Sequence, residues 1–148
     1  MLKLENITKK FQETTVLDGI NLEIESGEIV SILGQSGSGK TTLLNLILGL
    51  DEPSGGEIFF NNQKITHTLM EKRPFNIVFQ DYALFPNLTA YQNLTYGLRN
   101  KKECSTKAEV DELIQLLNLE KHLEKPIHQL SGGQKQRVAL GRTLSLIH

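Results

Sequence analysis

Apolar and polar residues alternate along much of the start of this 148-residue chain. Residues 2–7 alternate as a half-buried β-strand does, and residues 16–24 do the same until a turn signal at 25–28. Residues 57–60 are typical of a third strand, which runs into an asparagine pair at 61–62 that favours a turn. The N-terminal third is therefore predicted to form an antiparallel β lobe.

Three short apolar runs lack this alternation. The sequence EIVSIL at 28–33 is rich in β-branched residues and predicts a buried strand, and Ile-Val-Phe at 77–79 predicts another that ends at Gln80. The sequence LLNLIL at 43–48 predicts a helix, and Gly49 is placed to end it. Strands followed by a helix indicate the α/β fold class.

The second half carries the marks of capped helices. A Ser or Thr followed three residues later by Glu or Gln forms a capping box, whose side chains satisfy backbone N–H groups at a helix start. Such boxes begin at Thr89, Thr106 and Ser131. The helix after Thr106 has an apolar stripe typical of core packing, made by Val110, Leu113, Ile114 and Leu117. The region from Thr89 to Lys125 is therefore predicted to be mainly helical.

Composition narrows the function classes. A formal net charge of −1 with interspersed signs argues against a nucleic-acid-binding surface, which needs a basic stripe. We expect neither a membrane span nor a secretory signal, because no apolar run has the required length or position. The single cysteine, Cys104, excludes an internal disulfide and suits a reducing compartment. The four histidines show no metal-ligand spacing: His67, His122, His128 and His148.

Residues 34–42 read GQSGSGKTT, which has the P-loop spacing Gly-x-x-x-x-Gly-Lys-Ser/Thr. Glycines let main-chain N–H groups approach an anion closely, and the positive end of the following helix adds to the attraction. Lys40 would reach the outer phosphates, and the Thr41 hydroxyl would ligate Mg²⁺. An ordinary glycine-rich turn is the alternative, but a strand before and an apolar helix after are the context that the motif requires. The candidate phosphate-binding residues are Gly34, Gln35, Ser36, Gly37, Ser38, Gly39, Lys40, Thr41 and Thr42.

A second glycine-rich helix start, Leu130-Ser131-Gly132-Gly133-Gln134, follows about ninety residues later. A capping box from Ser131 to Gln134 could simply begin a helix. It does not call for two successive glycines, each of which costs roughly 1 kcal/mol relative to alanine inside a helix and less in the first turn. Two exposed amides beside a serine hydroxyl at a helix start make a second candidate anion site.

With both motifs present, the sequence resembles the ATP-binding subunit of ATP-binding-cassette (ABC) transporters over essentially its whole length. Residues 34–41 match the Walker A loop of that family and Gln80 matches its Q-loop glutamine. Residues 130–134 match the LSGGQ signature, and residues 135–140 continue like the signature helix. The signature is highly specific to this superfamily.

The resemblance implies a P-loop NTPase fold with three parts. Residues 1–88 would form the antiparallel β lobe and the P-loop core, residues 89–130 an inserted helical lobe, and residues 131–148 the signature helix. The family continues from about His148 into the Walker B strand, with its Mg²⁺-binding aspartate and general-base glutamate. We therefore expect residues 1–148 to be a truncated cassette with an incomplete central sheet, poor stability and no normal ATP turnover.

The resemblance also implies roles for single residues. Phe11 matches the aromatic residue that stacks on adenine, although its position alone favours a core or strand-end aromatic. Val16 falls where a small apolar residue lines the base. Lys40 and Gln80 are the catalytic candidates, Gln80 together with Thr41 as a ligand of Mg²⁺ and as a sensor of the γ-phosphate.

The signature residues are implied to act across a dimer. Ser131, Gly132, Gly133 and Gln134 would bind ATP that is held by the P-loop of a second subunit, a homodimer being expected. Other expected partners are transmembrane permease subunits, faced by the loop at 81–86, and indirectly an extracytoplasmic substrate-binding protein, but no nucleic acid. The implied cofactors are ATP and Mg²⁺, and the implied location is the cytoplasmic face of the plasma membrane. Residues 79–86 most resemble importer ATPases for ferric iron, polyamines, quaternary amines or phosphonates.

Other functions are open at this point. A soluble ABC ATPase that acts as a mechanical switch is one, although the neutral charge and the loop at 81–86 weigh against it. A P-loop small-molecule kinase would have no use for the LSGGQ helix. Without the catalytic glutamate, the 148 residues taken literally are a nucleotide-binding module that does not hydrolyse ATP. Gly141, where the family usually has alanine, should cost the helix about 1 kcal/mol and has no functional explanation in the sequence.

Overall fold

A computed structural model describes residues 1–99 and 105–145. The chain divides into two compact units, Met1–Phe75 and Asn76–His148. The expectations for Cys104 and His148 lie outside the described residues. No helix in the described ranges is long and apolar enough to cross a membrane.

The first unit is built on an antiparallel sheet of four strands in the order β2-β1-β3-β4. The strands are β1 Leu2–Phe11, β2 Thr14–Ile24, β3 Gly55–Phe60 and β4 Gln63–Lys64. Asn61 and Asn62 both adopt positive φ, as the central residues of a tight hairpin do. This sheet confirms the predicted N-terminal β lobe.

A helix, α1 (Lys40–Leu48), packs against the sheet and completes the core of the first unit. Inward-facing side chains of the sheet and of the helix, together with Ile65 just after β4, form one buried cluster: Leu4, Ile7, Leu17, Leu43, Leu46, Ile47, Ile58 and Ile65. Gly49 ends α1 in the left-handed conformation, with φ of 79°, as the sequence predicts. Burial of this cluster fixes α1, and with it the loop that α1 follows, against the sheet.

A buried arginine closes the carboxyl end of α1. The guanidinium of Arg73, a residue only 6% exposed, donates to the carbonyl oxygens of Leu46 and Ile47 at 2.7 Å each. It also donates to the carbonyls of Thr66 and Thr68, at 2.8 Å each. Burial lowers the pKa of Arg73, yet arginine stays charged in proteins. A fixed positive charge therefore lies at the negative end of the helix dipole.

The two buried strands predicted from apolar runs are wrong. Residues 28–33 and 77–79 have no regular secondary structure. Ile29 is 97% exposed and Leu33 90%, while Val78 and Phe79 are each about two-fifths exposed. A strand is held by hydrogen bonds to a neighbour, and within the described residues neither run has one. The expected incomplete central sheet is the result.

The second unit is helical. Its helices are α2 Ala90–Leu94, α3 Lys107–Leu116 and α4 Gly132–Leu144, joined by short 3-10 turns at Gly97–Arg99, Glu120–His122 and Ile127–Gln129. All three predicted capping boxes are present, at Thr89, Thr106 and Ser131. The core of this unit consists of Ala90, Leu94, Val110, Ile114, Leu119, Ile127, Leu130 and Val138.

Gly141 has a packing role that the sequence did not show. A Cβ atom at this position would lie 2.4 Å from Leu94 Cδ2 and 2.9 Å from Leu117 Cδ1. Leu94 is 1% exposed and cannot move aside freely. The glycine thus allows α4 to approach α2 closely, and this offsets its low helix propensity.

Arg73→Met should weaken α1 locally. The substitution keeps most of the side-chain volume but leaves the carbonyls of Leu46 and Ile47 without their charged donor, at a cost of about 3 kcal/mol. Residue-resolved hydrogen exchange of the α1 amides measures the loss. Lys72→Met, which removes a neighbouring exposed charge, is the control, and equal exchange in the two variants would contradict the capping role.

Candidate functional site

The glycines of the P-loop give it a backbone that other residues adopt only with strain. Gly37 and Gly39 have φ of 83° and 87°, in the left-handed region. A Cβ atom on Gly34 would lie 2.6 Å from Ser38 Oγ. The loop therefore bends twice within three residues before it enters α1, as a phosphate-cradling nest requires.

Gly39 also ties the loop to the sheet. It is buried, and a Cβ atom there would lie 2.9 Å from Leu17 Cδ2 and 3.2 Å from the Val16 carbonyl oxygen. Gly37 has open space around its Cα instead. The two glycines thus share a conformation but differ in surroundings, because only Gly39 lies against β2.

The first turn of α1 is open to a ligand. Its cap residue is Gly39, which has no side chain to accept a hydrogen bond from the first-turn N–H groups. A cavity of about 430 Å³ lies beside this turn, lined by Val16, Ser36, Gly37, Gly39, Lys40, Thr41 and Thr42. Its size is in the range of small-molecule sites. Main-chain N–H groups and the positive helix end both favour an anion here.

Lys40 is the first residue of α1, and its ammonium group bridges the loop. Nζ donates to the carbonyl oxygens of Gly34 at 2.8 Å and Gln35 at 2.6 Å, and to Ser38 Oγ at 3.3 Å. These acceptors are neutral, so a phosphate oxygen would compete with them effectively through its charge.

Phe11 ends β1 and is 48% exposed, which excludes the core alternative for this ring. Lys9 Nζ lies 4.9 Å from the ring centroid, a cation–π distance. The same ammonium group donates to Asp51 Oδ1 at 2.6 Å, and this pairing lowers the pKa of Asp51. Phe11 is thus about half exposed at the end of β1, and its ring is accessible for stacking.

The signature residues begin α4 in the second unit. Ser131 is the cap: its Oγ accepts from the Gln134 N–H at 3.3 Å, and Gln134 Oε1 accepts from the Ser131 N–H at 2.9 Å. Gly132 and Gly133 are exposed, and a Cβ atom on Gly133 would meet nothing. The two glycine amides therefore face solvent, unlike the capped amide of Gln134.

A histidine that sequence reasoning left without a role supports the signature glutamine. His122 Nε2 lies 3.1 Å from Gln134 Nε2 and must accept, since an amide nitrogen can only donate. Its other ring nitrogen, Nδ1, is buried and has no partner in the described part of the chain. No spacing pattern in the sequence could have linked His122 to Gln134.

The candidate residues thus form two groups. The P-loop residues, with Phe11 and Val16, lie in the first unit. The structure brings Val16, Ser36, Gly37 and residues 39–42 around one cavity, whose lining does not include Phe11, Gly34, Gln35 or Ser38. Gln80 and the signature residues belong to the second unit, where Gln80 is exposed in a turn.

Comparison with known proteins identifies the family. The sequence profile described as ABC transporter matches residues 17–146. This chain belongs to the ABC transporter family. The match spans both glycine-rich helix starts and Gln80.

The relatives are import ATP-binding proteins. The chain is 48% identical to the spermidine/putrescine import ATP-binding protein of Spiroplasma citri over 147 residues, which covers 97% of this chain and 42% of that protein. It is 44% identical to the Fe(3+) ions import ATP-binding protein of Escherichia coli (strain K12), covering 98% of this chain and 42% of that protein. The chain thus spans about two-fifths of the length of these relatives.

Solved structures show the same fold. One is cbiO1 from Clostridium perfringens, part of an ABC transporter complex, with a TM-score of 0.85, 36% identity, and coverage of 97% of this chain and 61% of that one. Another is a dimeric post-hydrolysis state of an ATP-binding cassette bound to ADP and Pi, with a TM-score of 0.77, 40% identity, and coverage of 98% and 69%. The α/β cassette fold predicted from the sequence is confirmed.

Gly39→Ala should be more damaging than Gly37→Ala. Both variants force alanine into positive φ at a cost of about 1 kcal/mol, but only at Gly39 does the methyl group also collide with Leu17 and Val16. We expect Gly39→Ala to lower the stability of α1 by a further ~1–3 kcal/mol, the usual cost of overpacking. Hydrogen exchange of the α1 amides measures this loss. Equal destabilisation by the two alanines would show that contact with β2 does not hold the loop.

Proposed function

We propose that this chain is the ATP-binding part of an ATPase that energises an ABC-type importer. The observation that carries the proposal is the first turn of α1, with its glycine cap, its cavity and the ammonium group of Lys40 beside it. Family membership and the import function in the relatives' names support it.

In this proposal the P-loop binds the triphosphate of ATP. The N–H groups of residues 36–42 would surround its oxygens, and Lys40 would exchange its bonds to Gly34 and Gln35 for bonds to the outer phosphates. The adenine would stack on the exposed ring of Phe11, with Val16 lining the base, because Val16 already lines the cavity. Gly34, Gln35, Ser36, Gly37, Ser38, Gly39, Thr41 and Thr42 complete the proposed phosphate-binding set.

Mg²⁺ fits this site through the hydroxyl of Thr41. Thr41 is exposed at the cavity, one residue after Lys40, and hydroxyl oxygen is a suitable hard ligand. Gln80, exposed in its turn, is proposed as a second ligand and as the residue that senses the γ-phosphate. A bound Mg²⁺ neutralises charge on the phosphates during transfer to water. The 148 residues contain two Asp-Glu pairs, Asp51-Glu52 and Asp111-Glu112, which follow α1 and lie inside α3, so neither ends a strand. We therefore expect these residues alone to bind ATP without normal turnover.

The signature residues are proposed to complete the site of a second copy. Ser131, Gly132, Gly133 and Gln134 would hold the γ-phosphate of ATP that is bound to the P-loop of the partner. Support comes from the exposure of the two glycine amides and from the dimeric state of the similar cassette. A homodimer that uses two different patches on each copy makes two equivalent sites.

The proposed partners follow from importer function. Permease subunits would contact the loop at 81–86, and an extracytoplasmic substrate-binding protein would deliver the cargo to them. The chain would then work as a peripheral protein on the cytoplasmic face of the plasma membrane. The relatives differ in cargo, spermidine/putrescine for one and ferric ions for the other, so the ATPase part does not identify the cargo.

Lys40→Ala should abolish tight ATP binding. Loss of a charge-assisted contact to the outer phosphates costs about 3 kcal/mol, which is a roughly hundredfold weaker affinity. Fluorescence titration with a labelled ATP analogue measures the change. Lys64→Ala, which removes an exposed lysine paired with Glu57 elsewhere in the first unit, is the control. Unchanged affinity in Lys40→Ala would refute the phosphate role.

Ser131→Arg should block dimer formation without weakening ATP binding to the monomer. The longer charged side chain would fill the space that the γ-phosphate of the partner's ATP needs. The measurement is light scattering with and without ATP on this chain continued by the C-terminal part of the Spiroplasma citri relative. Ser131→Thr, which keeps the hydroxyl and the cap, is the control. An ATP-dependent dimer of Ser131→Arg would overturn the arrangement across two copies.

A further inference from the structure

The signature helix is bonded to the loop that follows Gln80, and the contact is made near the far end of the helix. Arg142, in the last turn of α4, donates from Nη1 to the Ala83 carbonyl oxygen at 2.7 Å and from Nη2 to the Tyr82 carbonyl oxygen at 3.4 Å. Both carbonyls belong to the loop at 81–86, which the proposed function places against the permease. The hydrogen bonds of Arg142 therefore connect the signature helix, proposed to hold a partner's ATP, to the loop proposed to contact the permease.

The part of the loop that Arg142 holds is strained. Tyr82 and Ala83 have φ of 66° and 42°, in the left-handed region that residues with a Cβ atom avoid. Two consecutive residues in this region persist only when surrounding contacts hold them. The backbone bond from Tyr82 N–H to the Phe79 carbonyl and the bond from Ala83 N–H to Asp81 act within the turn itself. Arg142 supplies contacts from outside it.

The guanidinium group of Arg142 also contacts an aromatic ring of the loop. It lies 5.5 Å from the centroid of the Phe85 ring, and Arg142 is half-buried. Burial also lowers the pKa of Arg142. Hydrogen bonds from a charged donor are shorter and stronger than those from a neutral donor.

The strained turn also lies near the signature residues. With Tyr82 in its left-handed conformation, its hydroxyl oxygen lies 3.7 Å from where a Cβ atom on Gly132 would stand. A side chain at Gly132 would therefore touch Tyr82. The loop thus contacts α4 at Arg142 through its carbonyls, and the Tyr82 hydroxyl lies near Gly132 at the other end of the helix.

The remainder of the loop is held as firmly. Asn93, fully buried in α2, accepts from the Phe85 N–H at 2.8 Å and donates to the Phe85 carbonyl at 3.1 Å. The Phe85 ring packs on Tyr96, with centroids 4.3 Å apart. Among the described contacts, the section at 82–83 is held from outside the turn by Arg142, whereas Phe85 is also held by Asn93 and Tyr96.

We propose that Arg142 is a positioning residue that locks the 82–83 turn to α4, so that the loop at 81–86 and the signature residues move as one body. The functional consequence of this link rests on the proposed function. A permease that pushes on the loop would displace Gly132 and Gly133. In the other direction, binding of these glycines to a partner's ATP would displace the loop. The mechanical link itself is a property of the second unit alone.

The test is residue-resolved hydrogen exchange and amide chemical shifts of the 148-residue chain with Arg142→Met and Arg142→Lys. Arg142→Met should raise exchange at Tyr82 and Ala83 about tenfold or more, as loss of a charged donor implies, and should leave Phe85, whose N–H donates to Asn93, nearly unchanged. It should also shift the Gly132 amide resonance. Arg142→Lys, which can donate to one carbonyl but not as a fork, should restore part of the protection.

The matched control is Arg137→Met on the same helix. Arg137 also donates to backbone carbonyls, those of Leu117 at 3.1 Å and Gly133 at 3.4 Å, but to none in the loop. We expect this variant to leave the exchange of residues 82–85 unchanged. The buried α3 residues Val110 and Ile114 report on the whole unit, and their exchange should stay constant in all variants.

A uniform rise in exchange, with Val110 and Ile114 as fast as the loop, would show that Arg142 only stabilises the unit and would overturn the proposal. So would an unchanged Gly132 resonance or a lack of rescue by lysine. None of these readouts involves ATP, so failure here is distinct from failure of nucleotide binding at Lys40.

Discussion

The N–H groups in the first turn of a helix have no acceptor within that helix, and the cap residue decides whether a side chain or a ligand supplies one. In α1 the cap is Gly39, which supplies nothing. In α4 the cap is Ser131, which takes the amide of Gln134 and leaves those of Gly132 and Gly133 exposed. Both helix starts can therefore bind an anion through free N–H groups, but they differ in how many of these groups the cap residue leaves free. The P-loop leaves its whole first turn to an anion, and the signature offers two amides and a hydroxyl hydrogen.

Local chemistry made these helix starts predictable. A capping box needs two side chains three residues apart, and the sequence contains all the information that it requires. The left-handed glycines are equally local, because the P-loop spacing states where the chain must bend. The alternation in β1 and β2 was predictable for the same reason: each strand shows one face to the core and one to solvent.

The failures came where a feature depends on residues far along the chain. An apolar run at 28–33 is compatible with a buried strand, but the pattern does not say whether a neighbouring strand exists. The same limit applies to Arg73 and Arg142. Each looks like an ordinary surface charge in the sequence, and each donates to carbonyls that the fold brings near, in one case 27 residues away and in the other 59. The cost assigned to Gly141 was also incomplete, since the position of Leu94 could not be known.

The exposed run at 28–33 has a physical consequence of its own. Ile29 and Leu33 lie almost fully in solvent, next to backbone N–H and C=O groups that have no ladder partner within the described residues. Each such residue loses the gain of about 1.5–3 kcal/mol that burial of its side chain would bring. An apolar, β-branched segment with unpaired backbone is also the kind that pairs with another chain. The P-loop follows this segment directly, so whatever covers residues 28–33 also sets how firmly Gly34 and Gln35 are presented to Lys40. A strand paired with residues 28–33 would therefore both bury this run and order the phosphate site.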